Sequence, residues 1–230
     1  MWRWLAMTSC VLLGACNVVL TKAPLFTQAD AVGAPQLRSG VWLIFEKPDC
    51  QVDTTKSFVD WPDCAGGGLV SNGEIAGHKS GTPRDALEHT PVVLAAGQPR
   101  IAQLRVDVDT SVQADASASG GGSASASASG GGESHPYAYA AVRPTKLDAQ
   151  GRIVAFNYWP IDCGPPPPKN KDGEDTAAGT LKPLPGMEMK PGDPYCSTSS
   201  KDALRGAAKA SEAWADGPIP EAHWLRDADR

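Results

Sequence analysis

Histidines, paired carboxylates, aromatics and cysteines are the residues of this chain that could do chemistry. His78 and His89 stand eleven apart on predicted loops, in neither HExxH nor another metal-ligand spacing, and read as solvated loop side chains. Asp107 and Asp109 share one face of a predicted strand and could hold a cation together with Asp115. Calcium, however, takes about six to eight oxygens from a glycine-kinked loop, and alternating Asp reads better as a wet strand face. The run at 170–175, NKDGED, has the composition of a calcium loop without its ligand spacing. No GxSxG elbow, P-loop or GxGxxG occurs. The chain is therefore read as non-catalytic, with no catalytic residue, metal ligand or cofactor assigned.

The aromatics are concentrated. Tyr137, Tyr139, Phe156, Tyr158 and Trp159 fall within one predicted hairpin, and Trp42 sits in an earlier strand. On adjacent strands such rings either line a ligand pocket or fill the core of a domain rich in small residues. These six are the candidate ligand-binding residues.

Residues 1–16 read MWRWLAMTSCVLLGAC, with Arg3 as the only charge before a short apolar stretch. That is the layout of a secretory signal peptide, too short to span a bilayer. Its end, Leu13-Gly14-Ala15-Cys16, resembles the lipobox of bacterial lipoproteins. The resemblance implies cleavage after residue 15 and diacylglycerol on the Cys16 sulfur. Asn17, where Asp would favour inner-membrane retention in that family, implies an outer-membrane destination facing the periplasm. Each buried methylene contributes ~0.8 kcal/mol, so two or three acyl chains make the attachment effectively permanent.

Export bears on the remaining sulfurs. With Cys10 in the signal and Cys16 acylated, Cys50, Cys64, Cys163 and Cys196 remain, an even set in an oxidising compartment. Three pairings are possible. Cys50–Cys64 and Cys163–Cys196 are favoured because each closes a local, proline-bearing loop, worth about 3–4 kcal/mol in the chain-entropy picture. A four-thiolate zinc site would want closely spaced CxxC pairs, which are absent.

The elements that must position these residues are mostly strands. Gly and Pro number 24 and 20 among 230 residues, so much of the chain lies in turns. A formal charge of −5 lacks the basic field of a nucleic-acid binder, and no apolar run reaches the ~18–20 residues of a transmembrane helix. Residues 16–39, with Pro24, Gly33 and Pro35, read as a lipidated tether, and 40–230 as a single domain. Gly40 to Phe45 reads as a central strand, and Asn72-Gly73 as a two-residue hairpin turn. Pro91 to Ala95 pairs with Ile101 to Asp109, and Tyr137 to Thr145 with Arg152 to Trp159. Between these pairs ASASGGG occurs at 116–122 and again at 126–132, with no bulky apolar group to offset ordering entropy. This is read as a disordered loop at 116–132. A helix is expected from a capping box at Ser199, with Leu204, Ala207, Ala208, Ser211 and Trp214 on one face, and a second short helix around Ala222, Trp224 and Leu225.

The fold expected is mainly β: an antiparallel curled sheet or small barrel with one C-terminal α-helix and long loops. Gly40-Val41-Trp42 resembles the GxW signature of lipocalins, whose Trp closes the bottom of an eight-stranded barrel. Two functions are consistent with these readings. One is a non-catalytic binding or envelope-assembly lipoprotein, held at the membrane by its anchor and meeting an envelope protein. The other, implied by the lipocalin resemblance, is a carrier of a small apolar ligand.

Overall fold

A computed structural model describes residues 17–78, 86–106, 137–166, 182–190, 195–215 and 217–228. Cys16, Asp107, Asp109, Asp115, the 116–132 repeats and the 170–175 run lie outside the described residues.

The strands are β1 (Leu20–Thr21), β2 (Gly40–Glu46), β3 (Ala65–Ser71), β4 (Glu74–His78), β5 (Leu87–Ala95), β6 (Arg100–Arg105), β7 (Tyr137–Leu147), β8 (Ile153–Pro160) and β9 (Glu221–Arg226). From β2 to β9 each strand pairs antiparallel with the next, and β9 returns to pair with β2. The result is a closed, eight-stranded up-and-down barrel, with β1 added beside the start of β7. Closure leaves no long edge for another chain to template on.

Local chemistry explains the tight turns. Asn72 and Gly73 take φ of 50° and 80°, as a primed hairpin turn requires, and Gly151 at 75° ends the β7–β8 turn. These turns, with the β5–β6 connection, gather at one end of the barrel, here the turn end. The opposite, loop end receives the connections 47–64, 79–86 and 106–136 and the long excursion that carries the helix.

Period-two alternation divides the side chains between two apolar layers. Inside the barrel, Trp42, Val70, Leu94, Val142, Phe156 and Ala222 pack together toward the turn end. Outside, α1 (Lys201–Trp214) lays Leu204, Ala207 and Ala208 against Ala95, Ile101, Ala141 and Trp159. The Trp159 indole donates to the Ala208 carbonyl at 2.9 Å, so the large ring is buried without an orphaned donor. The cap is Ser200, one residue later than the box at Ser199 suggests; its Oγ accepts from the Ala203 amide.

Two expectations are corrected. The segment read as a tether is folded from residue 17 onward. Val19 and Leu20 are buried, and Phe26 is 1% exposed. Gln103 holds this strap in place: its Oε1 accepts from the Leu25 and Phe26 amides, and its Nε2 donates to the Phe26 carbonyl, all within 2.9 Å. The polar face of β6 is therefore covered at Gln103. The second helix is instead β9, because both its edges pair, with β2 and with β8, and close the barrel. A six-residue run satisfies period 2 and period 3.6 almost equally, and only closure decides between them.

Both disulfides pair as expected, Cys50 with Cys64 and Cys163 with Cys196. The first closes the β2–β3 connection. The second is fully buried beside the strap, where the Leu20 amide donates to the Cys196 carbonyl and the Cys163 amide to the Asn17 carbonyl.

Candidate functional site

The six aromatic candidates divide between the two faces of the barrel wall. Tyr137, Tyr139 and Trp159 point outward into the layer under the strap and α1. Tyr139 shares a 2.5 Å hydrogen bond with Thr21 Oγ1, and burial pushes its phenol up from the ordinary value. These three hold the strap and the helix, and do not face the barrel interior. Trp42, Phe156 and Tyr158 point inward. The sequence Tyr137-Ala138-Tyr139-Ala140 carries this division in its alternation: the phenols lie on one face and the methyls on the other.

The inward three build a floor. Trp42 is 0% exposed, its ring 5.3 Å from Phe156 and its Nε1 donating to the Arg38 carbonyl at 2.9 Å. Tyr158 stands edge-on to Phe156 and donates from its hydroxyl to the Ile44 carbonyl at 3.1 Å. Burial raises its phenol too, so it remains a neutral donor in the ordinary range of pH. Beyond the floor, the turn end is shut. Leu37 bridges to Ile153, and the Arg38 guanidinium lies 3.5 Å over the Trp224 ring.

Beside and above the floor many inward positions are small, although Leu104 also faces inward. Gly68, Gly77, Ala102, Ala138 and Ala140 occupy the inner face of β3, β4, β6 and β7, as their cross-strand partners require. Gly77 and both alanines of β7 are only half-buried despite facing inward. A methyl placed on Gly77 would meet no atom within 4 Å. Gly66 differs, since the Phe45 ring already occupies the space a side chain there would need. Among the described residues the barrel interior is thus packed at the turn end and lined in part by small apolar groups toward the loop end, a region here called the cup. Thr90 and Glu88 on β5 add the polar inward positions at this rim. These small residues went unnoticed among the large aromatics, although the alternation in β7 signalled them.

Hydrolytic or metal chemistry gains nothing from the geometry. Among the described residues no group of three His, Cys, Asp or Glu side chains converges on a common point. His78 is exposed at the end of β4. His89 faces outward and lies 3.5 Å from Glu74 across the β4–β5 ladder. Among the described residues no helix is long and apolar enough to cross a membrane. No protein-family model, curated protein or solved structure matches the chain, so the reading of this barrel rests on its own geometry.

Proposed function

We propose that the protein is a lipid-anchored, outer-membrane binding protein that faces the periplasm and takes a small apolar ligand into the loop end of its barrel. The observation that carries this reading is the change of side-chain size along the interior. Large rings shut one end, and glycine and alanine leave room at the other. Small-molecule sites are typically concave, mostly apolar and largely preformed, with a few polar groups at the edge. Thr90 and Glu88 supply such groups. The lipobox-like Leu13-Gly14-Ala15-Cys16 supports the anchor. Val18, two residues after Cys16, bridges to Asp162 just beyond β8 on the loop-end side. Acyl chains on Cys16 would hold that end toward the bilayer, from which an apolar ligand can partition.

The test uses the full chain in a saturable fluorescence titration with the neutral probe N-phenyl-1-naphthylamine. Wild type should enhance the probe's emission. Gly77→Trp, which fills open space, should abolish the enhancement with little change in melting temperature. No enhancement by wild type, or full enhancement by Gly77→Trp, would remove the ligand-carrier reading and favour an envelope protein as the partner. Independently, metabolic labelling with a palmitate analogue should mark wild type and not Cys16→Ala; equal labelling would end the anchor claim.

A further inference from the structure

A second concave site lies outside the barrel, near its turn end. A groove of about 600 Å³ runs between the β5–β6 turn, the middle of β7 and the exposed side of α1. Its charged lining is Arg100, Arg143, Lys209 and Glu212, an excess of two positive charges on a chain whose formal charge is −5. The cations come from three separate elements, so helix periodicity alone does not gather them. Arg143 pairs with Glu212. Arg100 spends one nitrogen on the Pro35 carbonyl at 2.8 Å, and burial lowers the pKa of its guanidinium. Lys209 has no ionic partner among the described residues. One turn earlier on the helix, the Arg205 guanidinium crowds Gly97 at the groove's edge, so like charges stand at i and i+4, an arrangement that costs a few tenths of a kcal/mol unless an anion offsets it. Between the cations the apolar lining is Pro99 and Pro144, while the Val142 side chain faces the barrel interior.

We propose that this groove binds a small amphiphilic oxyanion, a phosphate or carboxylate carried on a compact apolar body. Arg100 and Lys209 take the charged group, and Pro99 with Pro144 takes the body. The volume falls within the ~300–1,000 Å³ usual for small-molecule sites. Guanidinium and ammonium together suit an oxyanion, the first by its planar fork and the second as a mobile point charge. Glu212 tunes the site by occupying Arg143. The proposal is independent of the cup and of the lipid anchor, since neither contributes a residue.

Phenyl phosphate and phenylacetate are the probes, titrated into the full chain and followed by amide chemical shifts. Saturable shifts should centre on Gly97, Arg100 and Lys209, and phenyl phosphate should bind about tenfold more tightly than inorganic phosphate. Lys209→Glu, at an exposed position, should weaken both probes about tenfold. Glu212→Gln, which frees Arg143, should tighten them severalfold. These opposite responses separate a built site from general attraction to a basic surface. Shifts centred on Gly77 and Thr90 instead, indifference to Lys209→Glu, or equal affinity for inorganic phosphate would overturn the proposal. So would shifts that stay linear to 50 mM probe, roughly the ceiling for any useful affinity.

Discussion

Burial pushes the Asp162 carboxyl up to about 6, from the ordinary 3.8, and so couples stability to pH. Between those two values the folded state holds a proton that the unfolded state has released. Stability is therefore greatest below about pH 4, falls as pH rises through the window, and levels off above 6, as far as this residue controls it. At about 1.36 kcal/mol per unit, the cost at neutral pH is roughly 3 kcal/mol as an upper figure. Asp162→Asn keeps the shape and removes the charge. It should raise stability by about 2–3 kcal/mol at pH 7.5 and by little at pH 4, measured by denaturant unfolding at both values. Equal gains at the two values would place the effect in packing rather than ionisation. The backbone at Asp162 is already satisfied by Ser211 Oγ at 2.8 Å, so the substitution leaves the link from β8 to α1 intact.

Among the elements, the strap from residue 17 to 39 is the one whose middle depends most on a single side chain. It has one two-residue strand of its own, and its middle is held by the three hydrogen bonds of Gln103, itself 4% exposed. Gln103→Leu would leave two amides and a carbonyl without partners in a buried layer. Each such orphan costs about 1–3 kcal/mol, less whatever the strap recovers by lifting into water. A loss of about 2–4 kcal/mol is expected, with new protease cleavage between residues 21 and 31 and the barrel amides still protected from hydrogen exchange. Uniform loss of protection would mean that strap and barrel unfold as one unit. The strap covers Ile101, Tyr139 and Trp159, which explains why three of the aromatic candidates serve attachment rather than binding.

For the whole molecule, closure is the central event, and it tolerates long connections at the loop end. Arg105 pairs with Tyr137, so the segment between them leaves and returns at adjacent backbone positions. Closure entropy grows by only ~0.6 kcal/mol per doubling of loop length. Replacing 110–133 with a short Gly-Ser turn should leave the melting temperature within a few degrees of wild type, with a small rise if anything. A fall of ten degrees in calorimetry would show that the deleted residues pack on the barrel. The same scale explains the position of the two disulfides. One ties the β2–β3 connection at the loop end, and the other pins the exit of β8 beside the strap, where tight turns are lacking.

Short-range physics was legible in the chain itself. Asn72-Gly73 dictates a hairpin through its positive φ angles, the alternation in β6 and β7 assigns faces, and Leu204, Ala207 and Ala208 mark the buried side of α1. Both cystines followed from locality and an even count. Three features were decided only by tertiary structure. Glu221–Arg226 became a strand because β2 and β8 offered two edges to fill, an interaction spanning most of the chain. The strap became part of the core through bonds to distant residues, among them Gln103, some seventy-seven residues away, and Cys196. The cup and the cationic groove both require side chains from distant strands to converge, and no local pattern encodes the space between them. Local sequence sets which way each side chain points; closure of the barrel sets what it meets.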